Sequence, residues 1–162
     1  MKILYIHGLN SLLSLEKRQI LEQYGDVFAP TLNYKENPNA IADIIAQYAD
    51  HSFEVIMGSS MGGFAGFYVS NHFECPALLF NPALSKRPVT QQIPETLKTI
   101  THFKQLVLGT EDEVVNPKDT LQFIANLIDQ QPRITLHLKN KLAHRIPLPV
   151  FKAEVEAFFN TL

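Results

Sequence analysis

One serine in this sequence stands in a setting typical of a catalytic nucleophile. Ser60 is the centre of a Gly-x-Ser-x-Gly pattern at residues 58–62, between an apolar run that predicts a strand and a segment that predicts a helix. A sharp strand-to-helix turn lifts the hydroxyl clear of the sheet, and glycines leave room for that turn. The first N–H groups of the helix would then face a developing oxyanion. The alternative is a tight turn without chemistry, so other parts of the chain are needed to distinguish the two.

A nucleophilic serine on such a turn is followed along the chain first by an acid and then by a histidine. Asp112 lies three residues after Gly109, which ends one apolar run, and His144 follows another predicted strand. Both positions correspond to loops at the carboxyl ends of later strands. We therefore predict that Asp112 orients His144 and that His144 is the base, whereas Glu111 and Glu113 are expected to be solvated loop charges.

The remaining histidines have weaker claims to the role of base. His7 precedes Gly8 at the end of the first predicted strand and comes before the serine in the chain. A histidine there is expected to shape a backbone loop by hydrogen bonding, without taking the serine proton. His137 is expected on the exposed polar face of an edge strand. The others, His51, His72 and His102, lie at predicted helix ends or connections.

Alternating strand and helix patterns predict an α/β fold with a six-stranded parallel sheet between two layers of helices. The strands are predicted near residues 2–7, 27–32, 53–58, 76–81, 103–109 and 133–139, and the helices near 14–24, 37–48, 61–71, 116–128 and 149–162. Pro30 within the second strand and the alternating polarity of the sixth favour edge positions. The resulting order is 2-1-3-4-5-6. It brings His7 and residues 58–62 together where the crossovers change direction, which is where α/β sheets bind ligands.

Composition limits the class of protein. The chain has 162 residues, 46% of them hydrophobic, and we expect a single domain over residues 1–162. A net charge of −2 gives no basic surface for nucleic acid or a membrane. Cys75 is the single cysteine, so neither an intramolecular disulfide nor a CxxC metal motif is possible. With no signal peptide or membrane span in the sequence, a cytoplasmic location is expected.

Four short motifs follow one another along the chain: HGLNS at 7–11, GSSMGG at 58–63, FNPA at 80–83 and DEV at 112–114. They resemble those of the YqiA/YcfP-type esterases, small α/β-hydrolases that lack the first two strands of the larger fold. The resemblance implies a minimal α/β-hydrolase fold and a serine hydrolase. It implies Ser60 as nucleophile, Asp112 as orienting acid and His144 as base. It also implies an oxyanion hole formed by the backbone N–H groups of Leu9 and Met61.

The predicted function is hydrolysis of small carboxylic esters or thioesters through an acyl-enzyme, with no cofactor and no metal. Two alternatives remain: an acyltransferase or thioesterase using the same triad, and a non-catalytic, partner-binding member of the fold. The second is favoured by one departure from the family, since Lys-Leu-Ala at residues 141–143 stands where glycines are usual before the histidine. The sequence leaves the oligomeric state open.

The connection after the fourth strand indicates which substrates would fit. It spans only residues 82–102, is interrupted by prolines and carries charge, so it is too short for a large apolar lid. The apolar wall expected beside the serine consists of Leu9, Leu12, Leu13 and Phe64. We therefore expect a small-molecule ester with a short acyl chain as the substrate.

Overall fold

Short apolar segments form one parallel sheet in the computed structural model, which describes residues 1–99 and 102–162. The strands are β1 (Lys2–Ile6), β2 (Asp26–Phe28), β3 (Val55–Ser59), β4 (Ala77–Phe80), β5 (Lys104–Gly109) and β6 (Ile134–Lys139). Their order is β2-β1-β3-β4-β5-β6, which confirms the prediction. Because every pairing between neighbouring strands is parallel, the carboxyl ends of the strands lie along one edge of the sheet.

Helices cover both faces of the sheet. They are α1 (Leu15–Leu21), α2 (Ala40–Gln47), α3 (Met61–His72), α4 (Pro117–Ala125) and α5 (Leu148–Phe159). Buried side chains of α1 and α5 pack in one apolar cluster, and those of α2, α3 and α4 pack in another, on the opposite face. Alternate residues of each central strand contribute to the two clusters, as the pleat requires. This arrangement confirms the predicted three-layer sandwich.

The ends of several elements differ from the sequence prediction, for local reasons. The second strand stops at Phe28 instead of continuing past Pro30, a residue that has no N–H to donate to a sheet. Helix α2 begins at Ala40, later than predicted. Before it, the Asn37 side chain accepts a hydrogen bond from the Asn39 N–H, which forms a turn in place of the first helical residues.

The two faces of the edge strand β6 are not covered as the alternating pattern suggests. Leu136 and Leu138, on the apolar face, are 39% and 56% exposed. On the other face, His137 is half-buried, because its Nδ1 lies 2.6 Å from the Glu154 carboxylate of α5. His137 therefore lies at the surface, as expected, but the pairing with Glu154 covers part of its side chain. Lys139 also pairs with Glu154, so this carboxylate ties α5 to the sheet.

No helix in the described parts of the chain combines the length and apolar character needed to cross a bilayer. The longest helices contain twelve residues. Helix α3 is the most enclosed of these, with every residue from Met61 to Ser70 buried. Helix α3 therefore forms the centre of its layer, and its packing fixes the position of Ser60 and Met61 at its N-terminal end.

Lys104 is a buried cation at the start of β5. Its Nζ donates hydrogen bonds to Ser70 Oγ and Asn71 Oδ1, both at 2.8 Å, near the C-terminal end of α3. The same ammonium lies 5.3 Å from the centre of the Phe67 ring. Burial lowers the pKa of Lys104 to about 8, because desolvation disfavours the charged form.

We expect Lys104 to make the free energy of unfolding rise with pH between about 8 and 10.5. In this range the unfolded chain still binds the proton that native Lys104 has released, so a higher pH favours the native state. The variant Lys104→Met lacks this contribution. Urea unfolding of both proteins from about pH 7 to 10 should show the wild type gaining up to about 3 kcal/mol relative to the variant. The exposed Lys118→Met serves as control, and a difference independent of pH would contradict the expectation.

Candidate active site

Ser60 occupies a strained turn between β3 and α3. Its φ of 56° and ψ of −118° lie outside the regions that side-chain-bearing residues normally adopt. Such a conformation costs about 1–3 kcal/mol and persists only where the surroundings enforce it. Here the Ser60 N–H donates to the Phe80 carbonyl (2.9 Å), and the Ser60 carbonyl accepts from the N–H groups of Phe64 (2.9 Å) and Ala83 (3.1 Å).

The Ser60 hydroxyl is left without a structural task. The residue is the N-cap of α3, a position where a serine side chain ordinarily accepts a hydrogen bond from the first turn. Its side chain makes no such bond. Ser60 is only half-buried. A hydroxyl that is accessible and not used for capping is available to attack a substrate.

Two glycines allow the main chain to approach this closely. A Cβ on Gly62 would fall on the carbonyl oxygen of Ile6, and a Cβ on Gly58 would fall on that of Gly62, both far inside van der Waals contact. The first turn of α3 thus packs directly on the end of β1. As a result, the loop after β1 lies beside the nucleophile: a Cβ on Gly8 would be 3.2 Å from Ser60 Cβ.

His7 fixes that loop through both nitrogens of its ring. Nδ1 lies 2.7 Å from the Gly8 carbonyl, and the Leu32 N–H donates to Nε2 at 2.9 Å. A carbonyl only accepts and an N–H only donates, so the ring is neutral with its proton on Nδ1. The Tyr34 hydroxyl donates to the His7 carbonyl. These contacts confirm the expectation that His7 shapes the loop by hydrogen bonding.

The two N–H groups assigned to an oxyanion hole are free to donate. Leu9 follows Gly8 in the loop beside Ser60, and Met61 is the first residue of α3. Neither N–H donates a hydrogen bond to any residue that the structure describes. The positive end of α3 adds to the attraction that the Met61 N–H offers to an anion.

The predicted acid and base are in contact. His144 Nδ1 lies 2.8 Å from Asp112 Oδ2 and 3.0 Å from Oδ1. The Asp112 side chain is fully buried, whereas the His144 side chain is 25% exposed. Asp112 Oδ1 also accepts the N–H groups of Val114 (2.9 Å) and Val115 (2.8 Å), which holds the carboxylate in place. The neighbours of Asp112 in the chain, Glu111 and Glu113, are exposed, as expected.

The segment before His144 reaches this position without the glycines usual in the family. Lys141 adopts the left-handed conformation itself, with φ of 59°. Its N–H donates to Thr110 Oγ1, and the Leu142 carbonyl accepts from the Glu111 N–H, both at 3.0 Å. Leu142 is buried in the apolar cluster that also contains α5. The departure in sequence therefore leaves the contact between Asp112 and His144 intact.

Ser60 and His144 are linked through the end of β4, which lies between the strands they follow. The Ser60 N–H is bonded to the carbonyl of Phe80, and the next residue, Asn81, donates to the carbonyl of His144. Within the described part of the chain, no hydrogen bond joins the Ser60 and His144 side chains. The structure thus joins Asp112 directly to His144, whereas Ser60 is connected to His144 only through Phe80 and Asn81.

An open cavity of about 480 Å³ adjoins the oxyanion loop. All of the residues that line it are uncharged, including the neutral ring of His7. The others are Leu9, Asn10, Ser11, Leu12, Thr31, Leu32, Asn33 and Tyr34. Two of the residues predicted to form an apolar wall, Leu9 and Leu12, line this cavity. The prediction that Phe64 belongs to the apolar wall is wrong. Its ring is fully buried, and Arg87 Cζ lies 4.2 Å from the centre of the ring. Leu13 packs instead against the cluster that contains α1 and α5.

The described side chains contain no group of three or more His, Cys, Asp or Glu residues arranged to hold a metal ion.

Residues 2–100 match an uncharacterised protein family, UPF0227. The chain belongs to this family. Membership in UPF0227 confirms the resemblance that the motifs indicated. The matched UPF0227 region contains Ser60, Met61 and Leu9, whereas Asp112 and His144 lie beyond it. A search of curated proteins found no match to the chain.

Solved structures similar to this UPF0227 chain are α/β-hydrolases. SOBER1 from Arabidopsis thaliana superposes with a TM-score of 0.73 at 15% sequence identity, over 99% of this chain and 98% of SOBER1. A carboxylesterase from Bacillus cereus gives a TM-score of 0.66 at 15% identity, over 99% of this chain and 88% of the carboxylesterase. The similarity in structure establishes that the chain has an α/β-hydrolase fold. Because the sequence identity is only 15%, it establishes the fold alone.

Proposed function

We propose that this protein is a serine hydrolase that cleaves small carboxylic esters or thioesters. The observation that carries the proposal is the contact between the buried Asp112 carboxylate and His144 Nδ1. It lies on the same edge of the sheet as Ser60, whose hydroxyl does not cap helix α3. A nucleophile, a base and a group that orients the base are the three components of this chemistry. The similar structure from Bacillus cereus is that of a carboxylesterase, which agrees with this reaction class.

The reaction begins when Ser60 Oγ attacks the carbonyl carbon while His144 Nε2 accepts the hydroxyl proton. The carbonyl oxygen becomes an oxyanion that the N–H groups of Leu9 and Met61 stabilise. His144 then returns its proton to the departing alcohol or thiol, which leaves the acyl group on Ser60. Water attacks this acyl-enzyme with His144 again as base, and the acid is released.

Asp112 contributes by fixing the state of the imidazole. Its carboxylate accepts the Nδ1 proton, so Nε2 keeps its lone pair for the serine proton. The N–H groups of Val114 and Val115 hold the carboxylate while His144 gains and loses charge. The bond between Ser60 and His144 is expected to form on substrate binding, because such bonds often tighten only in the complex.

A non-catalytic, partner-binding role is the competing hypothesis. The strain at Ser60 argues against it, because a binding surface gains nothing from a strained turn or from a hydroxyl that caps no helix. An acyltransferase would use the same residues and differ only in the acceptor of the acyl group. A fluorophosphonate probe separates the two classes: either enzyme is expected to react at Ser60, whereas a binding module is expected to remain unlabelled.

We expect Ser60→Ala to lower kcat for p-nitrophenyl acetate by about 10³-fold or more, because the reaction loses its nucleophile. The fold should be retained, since the hydroxyl makes no hydrogen bond within the described residues. Steady-state kinetics and fluorophosphonate labelling measure the two effects. The matched control is Ser59→Ala, which removes the adjacent, equally half-buried hydroxyl and should leave kcat within about twofold. If Ser59→Ala is the inactive variant, the assignment of the nucleophile is wrong.

Removing either member of the dyad should impair the same step. We expect His144→Ala to lower kcat by about 10³-fold and Asp112→Asn by about 10²- to 10⁴-fold, because the latter leaves the imidazole in the wrong tautomer. The exposed residues His72 and Glu113 supply controls, His72→Ala and Glu113→Gln, that should be nearly normal. A rate that survives the loss of His144 would exclude the proposed base.

The described part of the connection after β4, residues 81–99 and 102–103, packs onto the body of the protein and does not form a lid over the site. Gln91 within it is buried and bonded to the main chain of Asn37 and Ala40, and Leu97 is also buried. The apolar surface left to receive an acyl chain is the part of the cavity formed by Leu9 and Leu12. This surface is open to solvent, because Leu12 itself is 69% exposed, so it can cover only part of an acyl chain.

We expect kcat/KM to be highest for short acyl chains, from acetyl to hexanoyl esters, and to fall for longer ones. Each additional CH₂ stabilises binding by about 0.8 kcal/mol only while there is apolar surface to cover it. A p-nitrophenyl ester series from about two to sixteen carbons measures this dependence. Leu12→Ala should lower kcat/KM for butyrate more than for acetate. A preference that keeps rising to palmitate would show that the site is deeper than the cavity beside Leu12.

A further inference from the structure

Asn81, the first residue after β4, links three segments at the edge of the sheet through its side chain. Its Oδ1 accepts the Gly109 N–H at 2.8 Å, at the end of β5. Its Nδ2 donates to the carbonyl groups of Ala143 and His144, both at 3.1 Å. The residue is only 2% exposed. A buried amide with three hydrogen bonds to the main chain holds these segments at fixed separations.

The backbone at this position also suits asparagine. Asn81 has a φ of 42°, in the left-handed region that asparagine and glycine tolerate better than other residues. Its N–H donates to the Val107 carbonyl at 2.8 Å, which continues the pairing of β4 with β5 for one residue. Asparagine therefore satisfies the turn and supplies the side-chain bonds at the same time.

Asn81 lies between the serine and the histidine of the site. The peptide carbonyl just before it, that of Phe80, accepts the Ser60 N–H at 2.9 Å. On the other side, its amide provides the one hydrogen bond to the His144 main chain that the described residues make. His144 is thus held at two points. Asp112 contacts Nδ1 of its ring, and Asn81 bonds its main-chain carbonyl.

We propose that Asn81 is a positioning residue that holds the His144 main chain so that Nε2 faces Ser60. The inference rests on the proposed function, because the position of this ring matters for catalysis only if His144 is the base. Without the Nδ2 bonds, the His144 main chain would shift, which would move Nε2 away from Ser60 and loosen the contact between the ring and Asp112. Displacements of about 1 Å from a reactive geometry cost on the order of 10²-fold in rate.

Two substitutions separate the positioning role from the role in the turn. Asn81→Gly keeps the left-handed conformation and removes all three side-chain bonds. Asn81→Asp keeps an acceptor for the Gly109 N–H but lacks both donors, and it places a carboxylate oxygen against the carbonyls of Ala143 and His144. If Asn81 merely completes the turn and the bond to β5, Asn81→Asp should retain activity. If Asn81 holds His144, Asn81→Asp should lose activity.

Gln91 provides a matched control. It is another buried amide, 5% exposed, that accepts one main-chain N–H, from Ala40, and donates to two carbonyls, those of Tyr34 and Asn37. The variant Gln91→Glu loses the same kinds of bonds as Asn81→Asp, in a segment whose described residues make no hydrogen bond to His144. It measures the effect of breaking such a set of bonds at a place that does not hold His144.

With p-nitrophenyl acetate, we expect both Asn81 variants to lower kcat by about 10- to 100-fold with KM changed less than about threefold. Gln91→Glu should lose comparable stability in urea unfolding while keeping kcat within about twofold. In proton NMR spectra, the downfield resonance of the His144 Nδ1 proton, assigned by its absence from His144→Ala, should weaken in Asn81→Gly and persist in Gln91→Glu.

Wild-type kcat in folded Asn81→Asp, or an unchanged rate and resonance in Asn81→Gly, would overturn the positioning role. Full activity of Ser60→Ala would overturn the proposed function instead. The NMR comparison depends on the contact between His144 and Asp112 and not on turnover, so it tests Asn81 in either case. Should Asn81→Gly fail to fold, Asn81→Asp supports the inference by its loss of kcat or overturns it by retaining kcat.

Discussion

The close approach between the first turn of α3 and the end of β1 is the constraint on which the site depends. No side chain fits between Gly62 and the Ile6 carbonyl. Because the two main chains touch, the loop after β1 is forced against Ser60, and the free N–H groups of Leu9 and Met61 come from the two segments that meet there. The arrangement of the proposed nucleophile and the proposed oxyanion donors thus follows from the packing of one helix on one strand, before any side chain of the site is considered.

Side chains perform the equivalent task on the other half of the sheet edge. The loops after β4, β5 and β6 are joined by Asn81 and Asp112, whose polar atoms bond mainly to main-chain groups and to His144. Both residues are buried, so these bonds are protected from competition with water. A loop without glycines, with Lys141 in a left-handed conformation, can therefore still present His144 at a fixed place.

Sequence reasoning predicted the features that depend on local pattern. Pro30 and the alternating residues of the last strand were sufficient for the strand order, and the spacing of Asp112 and His144 identified a pair that is in contact. Features that depend on distant partners could not be predicted. Lys104 is buried because α3 supplies Ser70 and Asn71, more than thirty residues earlier in the chain. The pairing of His137 with Glu154 likewise requires α5 to cross the sheet next to β6, which no local pattern shows.

The strained backbone of Ser60 and its missing cap bond favour the hypothesis of a catalytic turn over that of a purely structural turn. The turn costs about 1–3 kcal/mol in backbone strain, and the uncapped N-terminus of α3 forgoes a further contribution of about 1 kcal/mol. Both costs are borne by a helix that is buried from Met61 to Ser70, so the surrounding core, not the turn itself, holds the chain in this conformation. A structural turn at the same place could relax φ or let the serine cap the helix. Keeping the hydroxyl free at the expense of stability is what a nucleophile requires, and this explains why a residue held in a strained conformation is also the one proposed to react.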